Sequence, residues 1–171
     1  GCGSKEEKNV DGSKSVEMTE SVVSLNGTLK TEGTWIVNKN GEKIALHGMS
    51  LFWSQWGGKY YNSNVIKTLK NNWKCNIVRA ALGVEGGGYL ENKKVETNKI
   101  ISVIDACIEE GIYVIVDWHD HHGEKHVDAA KEFFGAIAEK YSGHPNLIYE
   151  IYNEPLQVNW SKVIKPYANE V

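Results

Sequence analysis

Four short apolar runs at regular intervals constrain this 171-residue chain more than any other feature. They are "KIALHGMS" (43–50), "NIVRAAL" (76–82), "IYVIVDWH" (112–119) and "LIYEIY" (147–152), and their starts lie 33, 36 and 35 residues apart. The runs are continuous rather than alternating, so each reads as a strand buried on both faces, as in a parallel sheet. Helical spacing fills the intervals: "NVIKTLKNNWK" (64–74), "NKIISVIDACIEE" (98–110) and "VDAAKEFFGAIAEKYS" (127–142), with "WSKVIKPYANEV" (160–171) after the fourth run. Gly111 and Gly143 are expected to stop the second and third helices. Asp128 is expected to cap the third.

Strand–helix alternation of this kind builds either a doubly wound α/β sheet or a (β/α)8 TIM barrel. No glycine-rich phosphate loop follows the first run, which speaks against a nucleotide-binding doubly wound fold. A barrel takes roughly 250 residues. Residues 44–171 number 128 and hold four βα units, so the expectation is the first half of a barrel. Upstream, "TWIVNKNGEKIAL" reads as a β-hairpin turning at Asn40-Gly41. Residues 1–24, rich in Ser, Lys and Glu, read as a flexible tether, and 25–171 as the folded part.

Composition narrows the partners. A hydrophobic share of 41% suffices for a core, and a formal net charge of −3 favours neither nucleic acid nor an anionic membrane surface. No apolar run approaches the roughly 18 residues of a membrane span. Cys75 and Cys107 sit in apolar contexts and read as unpaired buried thiols. "GCGSKEEKN" looks like the start of a bacterial lipoprotein after signal removal, which makes Cys2 a candidate lipid anchor; a cloning remnant would read the same way.

The polar and aromatic residues gather just beyond the strand ends, in "SLFWSQW", "RAALGVEGGGY", "DWHDHH" and "NEP". In a barrel these ends share the face that carries active sites. Among 19 basic residues only Arg79 is an arginine, which suggests a planar bidentate donor facing a carboxylate. His119, His121 and His122 lack the helical spacing of a metal site, so no metal and no cofactor is expected. Trp53 and Trp56 are either core or flat platforms for sugar rings. Glu154 would sit comfortably beside a helix N-terminus, but that does not explain Asn153, or the meeting of Arg, His, Asn and Glu at one barrel mouth.

The motifs "VNKNGEKIALHGMS", "NIVRAAL", "YVIVDWH", "NLIYEIYNEP" and "IKPYANEV", in this order, resemble the N-terminal half of glycoside hydrolase family 5, in its bacterial endo-β-1,4-glucanase branch. The resemblance spans roughly residues 27–171. It implies a retaining two-carboxylate hydrolase acting on β-glucan outside the cell or at the bacterial surface. By the same resemblance, Glu154 is the general acid/base, with a pKa raised by a neighbouring carboxylate. Asn153 bonds the 2-hydroxyl of the sugar being cleaved, Arg79 holds the nucleophile's carboxylate, His119 hydrogen-bonds in the same subsite, and Trp56 stacks in a more distant one. Phe52 stands where relatives often carry a His, and Leu82-Gly83 where several carry a Tyr. The family's nucleophile, a Glu at the end of strand seven, has no counterpart here. A mannanase, a xyloglucanase, or a half-barrel that binds glycan without cleaving it are the competing readings. A further one pairs Glu154 with Asp120 or Glu85 as an inverting couple, which needs roughly 6.5–9.5 Å between carboxyls.

Overall fold

The computed structural model describes residues 19–171. Cys2 and most of the expected tether therefore lie outside the described residues. The tether's last residues do not read as a tether in the structure. Val22–Asn26 form a short helix, α1, capped by Ser21 and packed through the buried Val23.

An antiparallel pair follows, β1 (Lys30–Glu32) and β2 (Trp35–Val37). Their two-residue turn is Gly33-Thr34, with φ +60 at Gly33, so the hairpin turns seven residues before the expected Asn40-Gly41. Asn40-Gly41 makes a second tight turn, but only a single bridge, Val37 to Lys43, forms across it. The Asn38 side chain accepts the amides of Asn40 and Glu42 and replaces a ladder there.

The first expected strand, 43–50, shrinks to β3 (Gly48–Ser50). Residues 45–47 are held instead by one side chain: Asn76 donates to the Ala45 carbonyl and accepts from the His47 amide. Then come α2 (Ser54–Gly57), α3 (Ser63–Asn71), β4 (Ile77–Gly83), α4 (Tyr89–Glu110), β5 (Tyr113–His119), α5 (Val127–Lys140), β6 (Leu147–Glu150) and α6 (Lys165–Glu170). Helix α4 starts nine residues before the apolar spacing suggested, with a kink at Asn92, and ends on Gly111 at φ +67 as expected. Asp128 lies inside the first turn of α5 and does not cap it. His126 occupies the cap position, and its ring is turned to Asp120 instead. Trp160–Ile164 form a π-helical turn leading into α6, next to Pro166, which has no N–H to offer.

Strands β3, β4, β5 and β6 lie side by side in sequence order, all parallel. In a doubly wound sheet the strand order reverses at a switch point; here it runs on without reversal, as in the wall of a (β/α)8 barrel. Alternation then sorts the side chains. Val78, Ala80 and Leu82 of β4 and Val114, Val116 and Trp118 of β5 pack into the main core with residues of α3, α4 and α5, such as Ile66, Ile104 and Phe133. The other face carries Arg79 from β4, and Ile115, Asp117 and His119 from β5. Its lower part, at the strands' N-terminal ends, is apolar: Ile77, Tyr113, Ile115 and Ile148 pack with Val23, Leu29, Ile44 and Leu46 from the N-terminal segments. Its upper part is polar.

Cys75 and Cys107 are both unpaired and buried. Burial, with the Glu110 charge behind it, pushes the Cys107 thiol up to about 12. Cys107 is therefore expected to resist a thiol reagent at pH 8 in the native chain and to react at once in denaturant. Peptide mass mapping after brief labelling checks this; rapid native labelling at Cys107 would contradict the packing described.

Candidate active site

The polar half of the inner face is organised by Arg79. It sits at the third residue of β4, below the strand's end, and its side chain reaches upward and across. Nε donates to Glu150 Oε2 at 2.7 Å and Nη2 to Glu150 Oε1 at 2.9 Å, a bidentate pair. Nη2 also pairs with Asp117 Oδ2 at 2.9 Å and donates to Asn153 Oδ1 at 3.0 Å, while Nη1 donates to Ser50 Oγ at 3.2 Å. One guanidinium thus joins four parallel strands and the segment after the last. The Glu150 hydrogen bonds, with Asp117 and Glu150 charges nearby, raise the Arg79 pKa against the opposing effect of burial.

Asp117 is fully buried. Its Oδ2 also takes the His119 ring at 2.6 Å through Nδ1. Burial raises its pKa nonetheless, more than the His119 bond and the Arg79 charge lower it. The His119 ring stands edge-on to Trp53, 4.3 Å between centroids.

Trp53 in turn stacks on Trp56 at 5.0 Å and 16°. Trp56 is 61% exposed and Phe52, 60% exposed, lies beside it. The loop carrying these rings is pinned from below. Tyr61 Oη shares its one proton between the carbonyls of Phe52 and Ala81, at 2.7 and 2.9 Å, and Ser54 Oγ accepts the Gly83 amide at 2.9 Å while donating to the buried Glu96. Gly83 leaves room that Gln55 fills: a Cβ there would lie 1.7 Å from Gln55 Oε1. The absence of a side chain at 83 and the presence of Gln55 are one packing solution.

At the end of β6, Asn153 is buried. Arg79 fixes its Oδ1, and its Nδ2 has no partner among the described residues. Glu154 follows at φ +43, in the left-handed region that costs an ordinary residue about 1–2 kcal/mol. Pro155 disfavours the right-handed helical alternative for the residue before it. The Glu154 carbonyl accepts from His121 Nδ1 at 3.3 Å and its side chain is exposed. The Glu154 charge is close enough to contribute to the raised Arg79 pKa.

So Arg79, His119, Asn153 and Glu154 are brought to one end of the sheet, with Trp56 on the rim. Two carboxylates that motif reading passed over, Asp117 and Glu150, are central to the arrangement. The signal for Asp117 was its place two residues before His119, hence on the same face. Glu150 lay hidden in a run that read as wholly buried. The carboxylates that Arg79 holds here are these two.

A family model for cellulase (glycosyl hydrolase family 5) matches residues 37–171. The chain belongs to glycoside hydrolase family 5. Among its family 5 relatives, endoglucanase Z of Dickeya dadantii is 50% identical over 136 residues, covering 77% of this chain and 32% of that protein. An endoglucanase of Clostridium saccharobutylicum is 37% identical over 164 residues, covering 94% and 37%. A solved structure from Cytophaga hutchinsonii superposes with a TM-score of 0.87 at 51% identity, over 88% of this chain and 50% of that one. The catalytic domain of Thermobifida fusca endoglucanase Cel5A does so with 0.84 at 34%, over 89% and 50%. The family 5 chain therefore spans about a third of the curated relatives' length and half of the solved domains. Its βα units superpose on barrels.

Removing Arg79 leaves Asp117 buried without its permanent cation, a loss expected to cost about 3 kcal/mol near neutral pH. The sign with pH follows from the raised Asp117 value. Its folded form binds a proton more readily than the unfolded chain, so it loses stability as pH rises through that window, more so without Arg79. Urea unfolding of Arg79→Ala at pH 4.5 and pH 7 should show a deficit that is clearly larger at pH 7. An equal deficit at both would place the guanidinium's contribution elsewhere.

Proposed function

We propose that these residues form the acid/base half of a retaining endo-β-1,4-glucanase cleft, with Glu154 as the general acid/base. One observation carries the reading: Arg79 holds Asn153 by its oxygen, leaving the amide nitrogen without a partner beside an exposed carboxylate at a strand's C-terminal end. An unpartnered donor there suits a sugar hydroxyl, and the adjacent acid suits the glycosidic oxygen. Family membership, and relatives named endoglucanases, support the same reading.

Under this reading the roles are as follows. Glu154 gives its proton to the departing sugar oxygen and later takes one from water. Asn153 Nδ2 bonds the 2-hydroxyl. His119, oriented by Asp117, contacts the same sugar. Trp56, flat on Trp53 and exposed, offers a face for the C–H surface of a more distant ring. Asp117 and Glu150 are committed to Arg79, so the attacking carboxylate comes from outside the described residues. The enzyme works outside the cell on β-glucan, and Cys2 is a candidate lipid attachment point. Glu85 and Asp120, the acids of the inverting alternative, are engaged with histidines on the rim.

In a complete barrel carrying these residues, Glu154→Gln should slow hydrolysis of soluble β-1,4-glucan about 10²–10⁴-fold. The loss should be smaller on aryl glycosides whose leaving groups need little protonation, and proton NMR of first-formed products should show retention. Residues 1–171 alone should give no turnover. Turnover by this piece that is indifferent to Glu154→Gln would overturn the assignment. Trp56→Ala should raise KM for long glucans severalfold with kcat nearly unchanged, because stacking far from the scissile bond binds substrate and transition state alike.

A further inference from the structure

On the rim, the loop after β4 and the loop after β5 face each other through charged groups that the proposed chemistry does not use. Glu85, Asp120 and His122 each place one ligand atom within 4.8 Å of the others. Asp120 is 3% exposed, yet among the described residues neither it nor Glu85 pairs with any lysine or arginine; their only ionic partners are His122 and His126. Asp120 Oδ1 accepts the His122 amide at 2.8 Å and Oδ2 meets the His126 ring, so the carboxylate is hydrogen-bonded but faces no lysine or arginine, and buried charges are ordinarily paired or bound to metal.

We propose that Glu85, Asp120 and His122 form a divalent-cation site for zinc or a metal of its class. Three protein ligands, one imidazole and two carboxylates, leave a fourth tetrahedral position for water. Calcium, which takes six to eight oxygens, suits the set poorly. His126 bridges the two acids: its Nδ1 meets Asp120 Oδ2 at 2.6 Å and its Nε2 lies 3.5 Å from Glu85 Oε1, and the Trp118 indole donates to the same Asp120 oxygen at 3.3 Å. Such outer hydrogen bonds orient a ligand carboxylate. The loop is shaped for this: Gly86 and Gly87, both at positive φ, turn the chain immediately after Glu85. The expectation of no metal rested on three histidines as a group. The structure separates them, giving His119 to Asp117, His121 to the Glu154 carbonyl, and His122 to the acids.

The test is calorimetric titration of the chelator-stripped chain with zinc chloride at pH 7.5, in a Cys2→Ser background so that no N-terminal thiol competes. One equivalent is expected to bind with release of protons, and calcium chloride far more weakly. Glu85→Gln, at an exposed side chain, combined with His122→Ala, at a half-buried one, should weaken zinc at least tenfold, while His47→Ala and His144→Ala should not. Zinc should raise Tm in the wild type and leave the double variant unmoved. Equal zinc affinity in wild type and double variant, or calcium binding as tightly as zinc, would overturn the site.

Discussion

The bidentate Arg79–Glu150 pair, extended to the buried Asp117, is the constraint on which the upper half of this sheet depends. Parallel strands are joined by backbone bonds between neighbours only. Arg79 adds a tie that runs from Ser50 on β3 to Glu150 on β6 and on to Asn153. A lysine could satisfy one of these acceptors as a point charge but not the planar set. That is a physical reason for one arginine in a chain whose other basic residues are all lysine.

The inner face is divided by height. Isoleucines and Tyr113 fill its lower part against the N-terminal segments, and Tyr113 Oη closes the seam by donating to the Gly27 carbonyl at 2.6 Å. Charge begins only above that plug. The division lets a buried aspartate exist at all: it has apolar packing below, a guanidinium beside it and an imidazole above. It also keeps the polar groups at the strands' C-terminal ends.

Much of this was legible in residue pattern. Each of the four runs supplied a parallel strand, but only the central β4 and β5 are largely buried, while β3 is exposed and β6 half-buried; the residues beyond the strand ends did gather. What misled was local chemistry overridden by long-range bonds. Asn40-Gly41 reads as a hairpin on dipeptide preference, but the Asn38 side chain took the amides a ladder would have used. The stretch 43–47 reads as strand, yet Asn76, 29 residues after His47, holds it by side-chain bonds. Asp128 has cap chemistry, yet Asp120 captured the residue at the cap position. The roles of Asp117 and Glu150 were not visible because an acid inside an apolar run is interpretable only once its partner on another strand is known.

The site's carboxylates end in two distinct conditions. Both Glu150 oxygens and Asp117 Oδ2 are held by Arg79 and His119, while Asp117 Oδ1 is buried without a partner among the described residues, and using either acid as a nucleophile would dismantle the tie that positions Asn153. Glu154 is exposed, placed by a left-handed backbone that Pro155 reinforces and His121 steadies. Retaining hydrolysis needs two carboxyls about 5–5.5 Å apart with separate duties. Under the proposed function, the acids bound to Arg79 build the floor and Glu154 moves the proton. The attacking carboxylate must then approach from the side of the cleft that these four strands leave open, facing Asn153 and the Trp53–Trp56 wall.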